Sequence, residues 1–140
     1  SGDYKNRLIL PSFDEEGYVN YFVARTYIDN WRKYMNPSLS RDIIFNHLYV
    51  DWDSDIVLTE GVFDAIKAGP NSIPLLGSTL RENSKLFQEI VKNDAAVFVA
   101  LDPDAEKKSL RIKEEFLKRK TAALPINAES FMVEEAINRL

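Results

Sequence analysis

The feature that most restricts the fold is an unbroken apolar run, Val97 to Leu101, which stops at two aspartates with one proline between them. A run of this kind, rich in Val and Phe and without polar alternation, is typical of a strand covered on both faces in a parallel sheet. Ligands of open parallel sheets bind just beyond the carboxyl ends of the strands. Asp102 and Asp104 therefore lie where a binding site is expected.

The two aspartates are suited to binding a hard cation. A side-chain period of two places Asp102 and Asp104 on the same side of an extended chain, and Pro103 limits the range of backbone geometries. Two carboxylates aimed at one point repel each other unless a cation lies between them, and Mg²⁺ or Mn²⁺ prefers such oxygens. The alternative is a pair of solvated loop residues, with Asp104 capping the helix that follows.

Short apolar runs alternate with amphipathic segments from Asp55 onward, which predicts a parallel sheet with right-handed crossovers and an α/β fold. Strands are expected at "DIVLT", "SIPLLG", the run that ends at Leu101, and "TAALP". Helices are expected at "EGVFDAIKAG", from Ser84, after Asp104, and from Ser130 to the end, where Val133, Ala136, Ile137 and Leu140 face inward. The basic residues of the helix after Asp104, including Lys107 and Lys108, are expected to form plain solvated surface.

The N-terminal part has a different pattern, which predicts a β-hairpin over residues 7–26 with Gly17 in its turn. A segment without periodicity follows from Tyr27 to Asp42, and cations and aromatic residues are interleaved in it. Such a segment can hold phosphates and stack bases, or it can be a connector whose aromatic residues cover the core. We divide the chain into an N-terminal hairpin and basic, aromatic segment, residues 1–50, and an α/β domain, residues 51–140.

Composition excludes several classes of site. The chain of 140 residues has no cysteine and one histidine, so disulfides, cysteine-ligated zinc and a histidine-rich metal site are excluded. The net charge of −4 argues against indiscriminate coating of nucleic acid. We find no apolar run long enough to cross a membrane and no signal-peptide pattern, and therefore expect a cytoplasmic protein with no membrane partner.

A second strand end also carries an acidic residue. Glu60 closes "DIVLT" and is followed at once by Gly61, which has no Cβ and leaves room for a sharp turn and for a phosphate or metal ion. Asp64 falls in the first turn of the next helix. It could orient Glu60 or metal-bound waters, or simply be a favourable charge near the positive end of the helix dipole.

Taken in order, "IVLTEGVFDAI", "PLLGSTL" and "VFVALDPDA" resemble the Toprim domain, whose signature is E-G-x-x-D after one strand and D-x-D after another. Residues 51–140 are accordingly assigned to a Toprim domain. The preceding "RLILPSFDEEGYVNYFVART" and "KYMNPS" resemble the segment before Toprim in DnaG-type DNA primases, and within that class we favour a phage-type primase. The resemblance covers almost the whole chain and implies an α/β, Toprim-like, mostly parallel sheet flanked by helices, with an N-terminal β-hairpin extension.

The resemblance implies a nucleotidyltransferase that makes short primers on a single-stranded DNA template from nucleoside triphosphates, with Mg²⁺ or Mn²⁺ as cofactor. It assigns Glu60, Asp102 and Asp104 as catalytic and metal-binding residues and adds Asp64 to the metal site. Residues lining the path of template and incoming nucleotide would be Arg7, Arg25, Lys33, Tyr34 and Asn36, with Gly77 in a loop near the site. A replicative helicase is a further partner that the resemblance leaves open.

Two other interpretations remain at this point. A metal-dependent nuclease would use the same acids with water as the nucleophile, and the carboxylates do not distinguish the two reactions. After D-x-D, DnaG-type primases continue with an Ala-Gly step, whereas Ala105 is followed here by Glu106. A non-catalytic Toprim-fold module that binds nucleic acid or a partner protein is therefore the third interpretation.

Overall fold

Residues 2–123 are described by a computed structural model of the chain. Their contacts divide the chain into two units, Ser1–Tyr49 and Val50–Leu140, which we call the hairpin unit and the sheet unit. Each is described by itself. Among residues 2–123, no helix has the length and apolar character needed to span a membrane.

The hairpin unit is built on two antiparallel strands, β1 (Arg7–Phe13) and β2 (Val19–Thr26). The turn between them is held by Asp14, whose carboxylate accepts hydrogen bonds from the amides of Glu16 and Tyr18, both at 2.9 Å. Gly17 has a φ of 91°, so the positive φ expected for this turn is present. Short 3-10 turns at Gly2–Tyr4 and His47–Tyr49 complete the regular structure of this unit.

Polar side chains form hydrogen bonds near the turn end of the hairpin. The hydroxyl of Ser12 is fully buried; it donates to Asn20 Oδ1 at 2.6 Å and accepts from the amide of Asn46 at 2.8 Å. His47 pairs with Glu15 at 3.2 Å, and its side chain is only 15% exposed. The single histidine of the chain therefore has an acidic partner within the hairpin unit.

In its described residues, the sheet unit contains three parallel strands in the order β4 (Ser72–Pro74), β3 (Ile56–Thr59), β5 (Val97–Ala100). Burial along β3 and β5 shows no alternation between faces, which is the pattern of strands covered on both sides. With the antiparallel hairpin and the helices described next, the α/β, Toprim-like fold class expected from the sequence is confirmed.

Up to residue 123, the strands are accompanied by the helices α1 (Val62–Ala68), α2 (Lys85–Lys92) and α3 (Glu106–Ala123). Ser84 caps α2 by accepting a hydrogen bond from the amide of Phe87 at 3.3 Å, and Gly69 ends α1 with a φ of 100°. α2 and α3 pack through the stacked rings of Phe87 and Phe116, whose centroids are 4.3 Å apart and whose side chains are each 1% exposed. These contacts fix α3, and with it the chain that follows β5.

Asn71 joins the amino ends of β3 and β4 through side-chain hydrogen bonds. Its side-chain amide donates to the carbonyls of Asp51 and Asp55 at 2.8 and 2.9 Å, and its oxygen accepts from the amide of Asp51 at 2.8 Å. The Ser54 hydroxyl and then the Asp53 amide donate to the Asp51 carboxylate and lower its pKa. The segment before β3 is largely exposed, but these hydrogen bonds give it a defined conformation.

One expected strand is wrong. Thr121 to Ala123, the first residues of "TAALP", continue α3 instead of forming a strand. The physical reason is local: the preceding residues are strong helix formers and two alanines extend the run, so helix propensity exceeds the weak strand signal of a single Thr. The expected closing helix from Ser130 lies outside the described residues, as do Val133, Ala136, Ile137 and Leu140.

Candidate active site at the carboxyl edge of the sheet

Glu60 and Asp102 follow neighbouring strands at the same edge of the sheet. Thr59 of β3 is in register with Ala100 of β5 on one side and with Pro74 of β4 on the other. Adjacent strands lie about 4.8 Å apart, so the chains that leave β3 and β5 begin side by side. The structure thus brings together the strand ends that carry the two acidic motifs.

Backbone hydrogen bonds hold the chain on the β4 side of Glu60. The carbonyls of Thr59 and Glu60 accept from the amides of Leu75 and Leu76 at 2.8 and 3.2 Å. A tight turn follows, closed by the Ser78 amide donating to the Leu75 carbonyl at 3.0 Å. Leu76 and Gly77 both have positive φ, 56° and 80°, the pattern of a type I′ turn. Gly77 therefore lies in a turn at the carboxyl edge.

The start of α1 brings Asp64 back towards the strand end. Gly61 caps the helix in an extended conformation, with φ −128° and ψ 170°. A Cβ placed on Gly61 would meet Asp64 Oδ2 at 3.7 Å, an ordinary van der Waals distance. The fold therefore does not require glycine at position 61. What glycine contributes there is open space beside the Asp64 carboxylate.

Lys108 is bound to Glu60. Its ammonium donates to both carboxylate oxygens, at 3.2 Å to Oε1 and 3.0 Å to Oε2, and the Lys108 and Glu60 side chains are 22% and 25% exposed. The expectation that the basic face of α3 is plain solvated surface is wrong for this residue. Lys108 lies in the first turn of α3 and reaches back to the strand end, because the helix begins directly after the aspartate pair.

Asp102 and Asp104 present their carboxylates at the surface. Both side chains are exposed, and a 3-10 turn, Pro103–Ala105, follows Asp102 with the Ala105 amide donating to the Asp102 carbonyl at 2.8 Å. The Asp102 side chain makes no capping hydrogen bond, and Asp104 lies inside the turn and not at a cap position. The alternative in which Asp104 serves as an N-cap is therefore not supported.

The donor chemistry of this edge suits a divalent ion, although the described residues do not form a closed ligand set. Glu60, Asp64, Asp102 and Asp104 offer carboxylate oxygens, the type that Mg²⁺ and Mn²⁺ prefer. Within residues 2–123, no group of three or more acidic, histidine or cysteine side chains is already arranged to hold a metal ion. The oxygens of Glu60 are turned to the Lys108 ammonium instead.

Most of the residues expected to contact nucleic acid hold a loop onto the hairpin. The Arg7 guanidinium donates to the carbonyls of Arg32 and Lys33 at 2.8 and 3.1 Å. Arg25 donates to the Tyr34 hydroxyl at 3.1 Å and lies 5.4 Å from the centre of that ring. Asn36 Oδ1 accepts from the amide of Ala24 at 3.2 Å. These side chains fix the conformation of the segment between Tyr27 and Asn36.

What the fixed segment offers to solvent is a mixture of aromatic and cationic side chains, which we call the basic aromatic loop (residues 27–36). Trp31 is 92% exposed and Tyr27 is 70% exposed. Arg32 and Lys33 are exposed beside them. Trp31 and Tyr27 therefore do not cover the core, which removes the connector alternative for these two residues.

Two residues were missed by the sequence analysis. Lys108 had a usable signal, since a lysine in the first turn of a helix lies against the positive end of the dipole and needs a compensating partner. Asn71 also had one, because Asn is among the few residues that adopt a positive φ readily, and its φ is 64°. Neither signal identifies the partner, which is distant in sequence in both cases.

Neither a protein-family model nor a curated protein sequence matches the chain. Solved structures do match. The E. coli primase catalytic core matches over 92% of this chain and 44% of that chain, with a TM-score of 0.65 and 17% identity. An Aquifex aeolicus primase comprising zinc-binding and RNA polymerase domains matches over 81% of this chain and 32% of that chain, with a TM-score of 0.63 and 21% identity.

A phage protein has a similar fold: the primase fragment of the bacteriophage T7 primase-helicase protein matches over 89% of this chain and 52% of that chain, with a TM-score of 0.59 and 15% identity. The chain therefore has the fold of the catalytic cores of DnaG-type primases. It spans between about a third and a half of the length of these three structures.

Proposed function

We propose that this chain is the Toprim part of a primase-type nucleotidyltransferase that makes short primers on single-stranded DNA with Mg²⁺ or Mn²⁺. The observation that carries the proposal is the placement of Glu60 and Asp102 at the ends of adjacent parallel strands, in a fold shared with primase cores. Phage membership and a replicative helicase partner belong to the same proposal, supported by the likeness to the T7 primase-helicase protein.

The acids would act on the phosphates of an incoming nucleotide. Asp102 and Asp104 are exposed and would bind a divalent ion, with Asp64 and, once released from Lys108, Glu60 as further ligands. When bound, such an ion lowers the pKa of an attacking 3′-hydroxyl and neutralises charge on the leaving pyrophosphate. The protein's own contribution is to carry these oxygens on the ends of two hydrogen-bonded neighbouring strands, where they would orient the reacting phosphates.

The basic aromatic loop would bind the template. Trp31 and Tyr27 offer exposed ring faces for stacking on bases, while Arg32 and Lys33 offer charge for phosphates. Arg7 and Arg25 would position this loop, since their guanidinium groups already hold its backbone and Tyr34. A structural neighbour, a DnaG primase catalytic domain, was solved bound to single-stranded DNA.

The test is the synthesis of labelled oligonucleotides on single-stranded DNA from nucleoside triphosphates and Mg²⁺ or Mn²⁺. We expect products with the wild-type chain and their loss in Asp102→Asn and Glu60→Gln. Asp53→Asn is the matched control, because Asp53 is also an exposed aspartate but precedes β3 at the opposite edge of the sheet. Synthesis that persists in both site variants would contradict the proposal.

A second arm separates the other reactions. Labelled DNA or RNA is incubated with Mn²⁺ and no triphosphates, and degradation lost in Asp102→Asn would replace the primase proposal with a nuclease. A DNA-binding measurement is also needed, because the chain spans less than half of the E. coli primase core. Single-stranded DNA binding that is weakened by Trp31→Ala, without synthesis or degradation, would support a non-catalytic module.

A further inference from the structure

The carboxyl edge of the sheet unit already contains one cation. The Lys108 ammonium lies within 3.2 Å of both Glu60 oxygens, and about three quarters of each side chain is buried. Hydrogen bonds between charged, partly desolvated groups are stronger than those of exposed pairs. Lys107, the preceding residue on α3, is exposed and carries the same charge.

The position of Lys108 has an electrostatic cost that its partner offsets. It lies in the first turn of α3, where the helix dipole favours negative charge and disfavours a lysine. Asp102 follows the neighbouring strand at the same edge of the sheet. The pairing with Glu60 therefore offsets the unfavourable position of the Lys108 charge and gives Glu60 a cationic partner.

We propose that Lys108 is a positioning residue that occupies Glu60 in place of a divalent ion and so sets how tightly the edge binds Mg²⁺ or Mn²⁺. This inference rests on the divalent-ion site of the proposed function. An ion that takes Glu60 as a ligand competes with the ammonium, since both bind the same carboxylate and the two cations repel each other. Within the described part of the chain, neither Asp102 nor Asp104 is paired with a cation, and an ion held by these two alone would leave Lys108 in place.

Competition of this kind is reciprocal. If the ammonium weakens ion binding, then the bound ion weakens the Lys108–Glu60 pair by the same factor. Removal of the ammonium should therefore have two opposite effects: a less stable protein without metal, because Glu60 loses its partner, and tighter binding of the ion.

The experiment compares Lys108→Met with Lys107→Met in the full chain, using Mn²⁺ alone as the probe. Both variants remove one positive charge from adjacent positions of α3, so a difference between them reports the Glu60 pair and not net charge. The readouts are the melting temperature without metal and the Mn²⁺ concentration that gives half of the maximal thermal stabilisation.

We expect Lys108→Met to melt below Lys107→Met without metal and to reach half-maximal stabilisation at a Mn²⁺ concentration roughly tenfold lower. In a Glu60→Gln background the difference between the two lysine variants should vanish, because the shared ligand is gone. Lys108→Gln, which keeps a polar group near Glu60, gives the same comparison if the methionine variant does not fold.

The outcomes separate this inference from the proposed function. If the wild type responds to Mn²⁺ and the two lysine variants respond identically, the role of Lys108 is overturned while the metal site stands. If neither the wild type nor any variant responds to Mn²⁺, the metal site fails and the role of Lys108 fails with it. A Lys108→Met chain that binds Mn²⁺ more weakly than Lys107→Met would also overturn the inference.

Discussion

Replacing Asn71 by alanine tests whether its side-chain hydrogen bonds stabilise the amino ends of β3 and β4. The change removes three side-chain hydrogen bonds of 2.8 to 2.9 Å, two to the backbone of Asp51 and one to that of Asp55. It leaves the backbone bond from the Val57 amide to the Asn71 carbonyl, at 3.1 Å, in place. The perturbation is therefore confined to the side chain.

The expected loss of stability has two sources. Each hydrogen bond contributes about 0.5–1.5 kcal/mol, and the low end applies because water reaches this half-exposed site, so three bonds amount to about 1.5–2 kcal/mol. Asn71 also has a φ of 64°, where alanine is strained by about another 1 kcal/mol. Asn71→Ala should lower the free energy of unfolding by about 2.5–3 kcal/mol, whereas Asn71→Gly loses the bonds without the strain and should lower it by about 1 kcal/mol less.

The assay is equilibrium unfolding in urea. Asn83→Ala is the matched control, since Asn83 is an exposed asparagine and should change stability by less than about 0.5 kcal/mol. An Asn71→Ala variant as stable as the control would refute the role of the side chain. An Asn71→Gly variant less stable than Asn71→Ala would refute the strain argument.

Three further predictions concern the core, the turn at the carboxyl edge and the titration of one aspartate. Phe116→Ala should lower the free energy of unfolding by about 3–5 kcal/mol, because it removes a fully buried stacked ring. Leu110→Ala, at a half-exposed position of the same helix, should lower it by less than about 1 kcal/mol in the same urea experiment. Equal losses in the two variants would contradict the packing of Phe116 against Phe87. Gly77→Ala should cost about 1–2 kcal/mol, since the φ of 80° strains any residue with a Cβ, and an unchanged urea midpoint would show that the turn is not formed. Ser54→Ala should raise the pKa of Asp51 towards its ordinary value, measured by NMR titration, because the largest cause of the lowered pKa is the Ser54 hydroxyl. A lowered carboxyl pKa stabilises the folded state at pH values above the ordinary pKa of aspartate, and this stabilisation is lost as the pH falls through the lowered pKa. The fall in the free energy of unfolding at acidic pH should therefore be less steep in Ser54→Ala.

Patterns that are local in sequence were sufficient for most of the fold. The unalternated run before Asp102 predicted a strand buried on both faces, and β5 has that burial. Ser84 predicted the start of α2, and its hydroxyl accepts the expected capping bond. At Thr121 to Ala123 the sequence carries both a helix signal and a weaker strand signal. The strand was predicted there, and the structure continues α3 instead.

Contacts between residues distant in sequence could not be predicted in this way. The positions of Glu60 and Asp102 followed from parallel topology, because strand ends share an edge whatever the side chains are. The contact between Glu60 and Lys108 could not be predicted from the topology, because Lys108 belongs to a helix whose basic residues look like ordinary surface in the sequence. The expected metal and nucleotide roles of the acids remain predictions.

The most direct test of the central claim is an NMR titration with Mn²⁺, which broadens the amide signals of residues close to the bound ion. If carboxylates from two strand ends act on one ion, the signals of Glu60, Gly61, Asp102 and Asp104 should broaden together, at the same low Mn²⁺ concentration. Those of Asp53 and its neighbours at the opposite edge should persist, and Asp102→Asn should abolish the broadening at both strand ends. Broadening confined to one strand end, or spread evenly over the exposed acids of the sheet unit, would contradict the claim.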